Sequence, residues 1–172
     1  MGDASEHRYL VALGSNRRVQ GLGAPRAVLA GAVAALAQSG WEVEAVARVI
    51  DSAPVGPSLR RYANGAAIIA GDRAPLAALA SLQAIERAFG RDRRGQRWRS
   101  RTLDLDIVLW SGGKWYGPRL AIPHPLFRQR DFVLHPAAQI APDWRDPVSG
   151  LTLRQLAARA VRRADRIAAT PA

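Results

Sequence analysis

Cysteine is absent from this chain of 172 residues. That excludes disulfides, thiolate metal sites and cysteine nucleophiles together, so any metal must sit on oxygen or imidazole. Imidazole is scarce too, with three histidines, and only one of the 25 basic residues is lysine. There is no GxxxxGK[ST] phosphate loop, no internal repeat and no low-complexity tract. The longest apolar run, Ala27 to Ala37, is too short and too rich in small residues to span a bilayer. The stretch MGDASEHRYL lacks the apolar core of a signal peptide. Together these absences predict a cytoplasmic protein that does not cross a membrane.

What is present is ordinary for a folded domain, with 48% hydrophobic and 23% charged residues. The length predicts one domain over 8–167, flanked by flexible termini at 1–7 and 168–172. The net charge of +11 suits a polyanionic partner: nucleic acid, a membrane surface or a polyphosphate.

Tyr9 to Leu13 reads as a strand ending in the tight turn Gly14-Ser15-Asn16. Pro25 to Gln38 has helical spacing and is stopped by Ser39-Gly40. Trp41 to Ile50 alternates as a strand, with Trp41, Val43, Ala45 and Ala47 on one side, and Asp51 to Arg61, holding Pro54 and Pro57, is a loop. Tyr62 to Ala70 is a strand, and Ala74 to Phe89 a helix with Leu76, Leu79, Leu82 and Ile85 on its stripe. Leu103 to Leu109 alternates as a strand, Ser111-Gly112-Gly113 signals a hairpin turn, and Arg119 to Ile122 is a short strand. Pro123-His124-Pro125 is extended or a turn. A helical turn is expected near Ala137 to Ile140, and a last helix runs from an N-cap at Thr152 to Ile167. This βαββαβ order predicts an α+β fold of ferredoxin-like type: a mainly antiparallel sheet with helices packed on it, plus a hairpin and a C-terminal helix.

The chemistry concentrates between Arg91 and Trp110. Arg91, Arg93, Arg94, Arg97, Arg99 and Arg101 surround Trp98, and Asp104 and Asp106 follow on a strand. Period two puts both acids on one face, roughly 6.6 to 7 Å apart along the backbone. Aspartate is depleted from strands, so the pair is either a solvent-facing acidic edge or a holder of one or two Mg²⁺ ions. Acids beside guanidiniums suit a highly charged phosphate group. Tyr62 and Asn64, also i and i+2, can stack on a planar heterocycle and read its edge, or can be an edge tyrosine with a capping amide. His124, held between prolines with Arg128 and Arg130 close behind, is a candidate phosphate or proton-transfer contact. His7 and His135 read as incidental, and Phe132 suits core or pocket alike.

Ala12-Leu13-Gly14-Ser15-Asn16, Tyr62-Ala63-Asn64, Gly90-Arg91 with Arg93, Arg97-Trp98, the run Arg101 to Asp106, and Pro123-His124-Pro125 through Leu134 occur in this order. This pattern resembles the 6-hydroxymethyl-7,8-dihydropterin pyrophosphokinases of folate biosynthesis, from about Tyr9 to Leu156. The resemblance implies Mg-ATP-dependent transfer of pyrophosphate to the pterin hydroxymethyl oxygen, leaving AMP. It implies two Mg²⁺ on Asp104 and Asp106, with Arg91 and Arg101 as catalytic phosphate contacts. Gln83, Glu86, Arg93, Arg97, Trp98, His124 and Arg130 would serve ATP. Ser52, Val55, Tyr62, Asn64, Asp104 and Phe132 would serve the pterin. It further implies a monomer acting on small molecules, with no specific nucleic acid. The chain departs from the family pattern at Arg99-Ser100, Ser52-Ala53 and Pro125. The competing class is a basic ferredoxin-like nucleic-acid-binding module without catalysis, supported by the net charge.

Overall fold

The computed structural model describes residues 6–52, 61–90 and 102–168. Its elements in chain order are β1 (His7–Ser15), α1 (Pro25–Gln38), β2 (Glu42–Val46), β3 (Ile50–Ser52), β4 (Tyr62–Gly71), α2 (Pro75–Ala88), β5 (Asp104–Trp110), β6 (Trp115–Gly117), β7 (Leu120–Ile122), α3 (Asp131–Ile140) and α4 (Leu153–Ala168). Both α1 and α2 open on proline, whose missing N–H is one of the donors a first turn leaves unused anyway. Each is followed by a glycine in the left-handed region, Gly40 at φ 80° and Gly90 at φ 81°. At α4 the Gln155 N–H donates to Thr152 Oγ1 (3.2 Å), while Gln155 Oε1 accepts from the Thr152 N–H (3.0 Å). This reciprocal cap fixes the start expected from sequence.

The main sheet runs β2-β4-β1-β5, with β3 continuing the β2 edge of β4, and its pairings are antiparallel. This is the ferredoxin-like arrangement expected from the βαββαβ order. One face buries Tyr9, Val11, Leu13, Ala67 and Ile69 against Leu29 and Leu36 of α1 and Leu82 and Ile85 of α2. The other buries Leu10, Ala66, Ile68 and Val108 against Leu134 and Ala137 of α3 and Leu153 and Leu156 of α4. The sheet therefore lies between two helical layers. That is why β4 is buried at every position from Ala63 to Ala70 and reads as a continuous apolar run instead of an alternating one.

Expectations about β2, the loop at Asp51 and α3 are corrected. The strand expected over Trp41 to Ile50 is split into β2 and β3, and Trp41, Val43, Ala45 and Ala47 do not share a face. The register slips between Val43 and Ala45, so Trp41 and Val43 join the α1/α2 side, while Ala45 and Ala47 join the α3/α4 side. A β-bulge adds one residue to one strand and turns the following side chains over.

Asp51 and Ser52, expected in a loop, belong to a strand, because Ile50, Asp51 and Ser52 pair with Asn64, Ala63 and Tyr62; residues 53–60 lie outside the described residues. The turn expected at Ser111 to Gly113 is present: the Gly113 N–H donates to the Trp110 carbonyl (3.0 Å), and the two residues form an isolated antiparallel bridge. A Cβ on Gly112 would lie 2.3 Å from the Trp110 ring, so the chain bends over the indole, and the hairpin forms later between β6 and β7. Finally, α3 is a full helix running through Pro136. The proline removes one i→i−4 bond. Val133, Leu134 and Ala137 hold the helix in place by covering the sheet.

His7, expected in a flexible terminus, opens β1, and its Nδ1 accepts from the Trp110 indole N–H at 3.2 Å. Among the described residues no helix is long and apolar enough to cross a membrane.

Candidate active site

Register, more than sequence proximity, assembles the site. Gly14 of β1 pairs with Asn64 of β4 on one side and with Asp104 of β5 on the other. Partners in an antiparallel ladder share a face, and neighbouring strands lie about 4.8 Å apart, so Asn64 and Asp104 flank a gap of about 10 Å whose floor is Gly14. A Cβ placed on Gly14 would reach 3.8 Å from Asn64 Oδ1 and 3.9 Å from Asp104 Cβ. Glycine thus keeps open a shelf that any side chain would fill. In the next row on the same face, Ala66, Ala12 and Asp106 stand abreast. Small residues form the floor, and polar groups form the two sides.

On the β4 side, Asn64 is 4% exposed and its Nδ2 donates to Ser52 Oγ at 2.7 Å, which aligns the amide. Ser52 itself pairs with Tyr62, half-buried at the start of β4. Arg26 of α1, which sequence reasoning did not single out, steadies this edge. Its guanidinium donates to the Val49 carbonyl (3.1 Å) and to Asp51 (2.9 Å). No local pattern advertises that role, because Arg26 and Asp51 meet only after α1 has packed.

On the β5 side, Asp106 is about one-third exposed, and His124 Nε2 lies 4.0 Å from Asp106 Oδ2. The His124 N–H donates to the Val108 carbonyl (3.0 Å), tying the Pro-His-Pro segment to the strand. The Leu126 N–H donates to His124 Nδ1 at 3.2 Å. A neutral His124 therefore carries its proton on Nε2, on the Asp106 side. Burial pushes the His124 pKa below its ordinary value, Arg130 pushes it the same way, and the charge of Asp104 opposes them. The imidazole is thus kept neutral near pH 7 and offers an N–H donor.

Arg130 precedes α3, with its guanidinium carbon 5.9 Å from the centre of the Phe132 ring. Phe132, in the first turn of α3, packs partly against the core on the site face. Arg128, grouped with Arg130 by sequence, does not join the site: it donates to the buried carboxylate of Asp146 with two bonds of 2.6 Å.

Gln83 and Glu86 lie on α2, which covers the opposite face of the sheet. Glu86 nonetheless touches the β5 backbone, since its Oε1 accepts from the Leu105 N–H at 2.8 Å. Val55, Arg91, Arg93, Arg97, Trp98 and Arg101 fall outside the described residues.

The donor set fits a hard cation. Among the described residues no group of three or more His, Asp or Glu side chains is placed to hold a metal alone. Two strand carboxylates would leave most of a coordination sphere to water and phosphate, which is how Mg²⁺ is usually held.

Residues 10–142 match the sequence profile of the 7,8-dihydro-6-hydroxymethylpterin-pyrophosphokinase (HPPK) family. The chain belongs to the HPPK family. Among its relatives is the 2-amino-4-hydroxy-6-hydroxymethyldihydropteridine pyrophosphokinase of Synechocystis sp., 42% identical over 151 residues, which are 87% of this chain and 74% of the relative. The Pseudomonas aeruginosa protein of the same name is 42% identical over 142 residues, covering 81% of this chain and 84% of the relative. The solved structure of wild-type Plasmodium falciparum HPPK-DHPS with pteroate superposes with a TM-score of 0.73 at 12% identity. It covers 94% of this chain but 44% of that longer one, so the likeness shows the fold of one part of it. Membership of an enzyme family displaces the reading as a non-catalytic nucleic-acid module.

Proposed function

We propose that this chain transfers the β,γ-pyrophosphoryl group of Mg-ATP to the hydroxymethyl oxygen of 6-hydroxymethyl-7,8-dihydropterin, giving the pterin diphosphate and AMP. Pyrophosphoryl transfer to this pterin, a step of folate biosynthesis, is the activity for which the family and its curated members are named. The observation that carries the assignment onto this chain is the row Asn64–Gly14–Asp104, which sets a group able to read a pterin edge across an open floor from the acids.

Each side of the shelf then has a task. Asn64, oriented by Ser52, both donates and accepts, matching the alternating edge of a pterin. Tyr62 and Phe132 supply flat apolar surfaces for its ring. Asp104 and Asp106 would hold two Mg²⁺, which when bound neutralise phosphate charge and favour loss of the hydroxyl proton. His124 Nε2–H and Arg130 would donate to phosphate oxygens. By the same reading Gln83 serves the nucleotide side and Glu86 serves it from behind β5 without touching it, while Arg91 and Arg101 act as catalytic contacts with Arg93, Arg97 and Trp98 around the nucleotide and Val55 beside the pterin. The protein works as a cytoplasmic monomer on small molecules alone.

Incubation with ATP, Mg²⁺ and the hydroxymethyl pterin is expected to yield AMP and pterin diphosphate. Formation of ADP, or no pterin-dependent turnover, would sink the reading. Asn64→Leu, which keeps the volume but removes donor and acceptor, is expected to raise KM for the pterin about ten- to a hundredfold, the worth of one or two unmade buried hydrogen bonds. KM for ATP should not move, and an unchanged pterin KM counts against the role of Asn64.

A further inference from the structure

We infer that Glu86 is a positioning residue for the Asp104/Asp106 pair, acting through the peptide between them. The inference rests on the reading of those acids as metal ligands. Glu86 is 2% exposed, sits on the opposite face of the sheet from the shelf, and bonds the Leu105 N–H at 2.8 Å. Leu105 is the residue between the two acids, and its side chain is buried with Leu82 and Ile85 of α2. β5 is the outer strand at its end of the main sheet.

An outer strand has a partner strand on one side alone, so its other edge can twist between the points where other segments reach it; among the described residues His124 does so at the Val108 carbonyl and Glu86 at the Leu105 N–H. Here the twist matters. Rotation of the Leu105 peptide would move the Cα atoms of Asp104 and Asp106 relative to each other, and with them the two carboxylates. The Glu86 acceptor fixes that peptide from outside the sheet, while Leu105 packs down on the same helix. Helix, peptide and acids therefore move as one piece. A ligand-supporting contact of this kind typically changes metal affinity 10- to 100-fold when removed. What position 86 must supply is an acceptor at the reach of a Glu side chain: Gln has both, Asp is one methylene short, and Ala has neither.

The test uses the full chain with a saturating non-hydrolysable ATP analogue and Mn²⁺ as a paramagnetic stand-in for Mg²⁺, with Mn²⁺ affinity and the exchange rate of the Leu105 amide proton both read. Glu86→Gln is expected to stay within about threefold of the parent in both. Glu86→Asp and Glu86→Ala are expected to bind Mn²⁺ at least about tenfold more weakly and to exchange the Leu105 amide faster. If Glu86→Ala does not fold, the comparison of Gln with Asp decides alone. Asp matching the parent while Gln loses affinity would assign the effect to charge and overturn the inference. Retained Mn²⁺ affinity in the Asp variant, alongside its loss in Asp104→Asn, would overturn the positioning role only. Retained affinity in Asp104→Asn would overturn the metal reading itself.

Discussion

Asp104→Ala and Asp106→Ala are each expected to lower kcat by about a thousandfold or more while leaving the melting temperature within about 2 °C of the parent. The size follows from what a phosphoryl-type transfer asks of a protein. There is little covalent work to share, so most of the barrier reduction comes from holding charge and aligning groups. A loss of about 4 kcal/mol from that electrostatic term is about 10³ in rate.

The small effect on stability follows from where the acids sit. Asp106 is 37% exposed and Asp104 half-buried, and each stands beside a small residue of β1, Ala12 or Gly14. Shortening either side chain opens no apolar cavity, and the contacts it gives up, such as that of Asp106 with His124, are partly exposed and of a kind typically worth about 0.5 kcal/mol. Thermal melts and steady-state rates at saturating Mg²⁺ separate the two effects. Full activity in both variants would remove the acids from the mechanism, whereas loss of the fold would make them structural.

Period two alone placed the two acids on one face, and that held in β5 because the strand's register slip lies further along, around Val108, past both acids. The alternation of β2 failed at Glu44 for the same kind of reason, since a bulge answers to the twist of the neighbouring strand and leaves no local mark. Helices α1 and α2 were legible from proline at the start and glycine past the end. Helix α3 was not, because Pro136 argues locally against a helix and only the sheet beneath Val133 and Leu134 overrules it.

The site divides along similar lines. Asn64 and Asp104 could each be singled out from sequence, and the resemblance assigned both to one pocket. Their meeting across Gly14 depends on a register set by strands far apart in the chain. Arg128 shows the opposite case. In sequence it stands beside His124, a candidate phosphate contact, but its partner, Asp146, lies on a loop that no pattern connects to it.

That partner carries the second large effect, this time on stability. Arg128→Met is expected to cost about 3 to 5 kcal/mol, the usual consequence of leaving one half of a buried ion pair behind. At roughly 2 to 4 °C per kcal/mol for a chain of this size, that is a drop of about 10 °C. Asp146 is fully buried and accepts from Arg128 twice, from the Val148 and Ser149 N–H groups, and from the Ser149 hydroxyl. Burial alone would raise its pKa. The Arg128 guanidinium, the Ser149 hydroxyl and the Val148 N–H outweigh burial and hold the carboxyl at about 2, below the 3.8 of a free aspartate.

A carboxylate whose folded pKa is depressed contributes stability that is fully present above its unfolded value and is lost as pH falls toward the folded one. The parent should therefore lose about 2 kcal/mol from this group between about pH 4 and pH 2. In Arg128→Met that acid limb should flatten, because Asp146 no longer has a charge partner to lose. Arg128→Met/Asp146→Asn should be more stable than Arg128→Met alone, since Asn still accepts from the Val148 and Ser149 N–H groups without burying a charge. Urea unfolding at pH 6, 4 and 3 reads all three quantities. A double variant no better than the single would show that the bonds, and not the buried charge, carry the cost. Arg130 lies two residues from this anchor, so the same ion pair that fixes the Phe127–Gln129 turn also holds the chain that leads from His124 to Arg130.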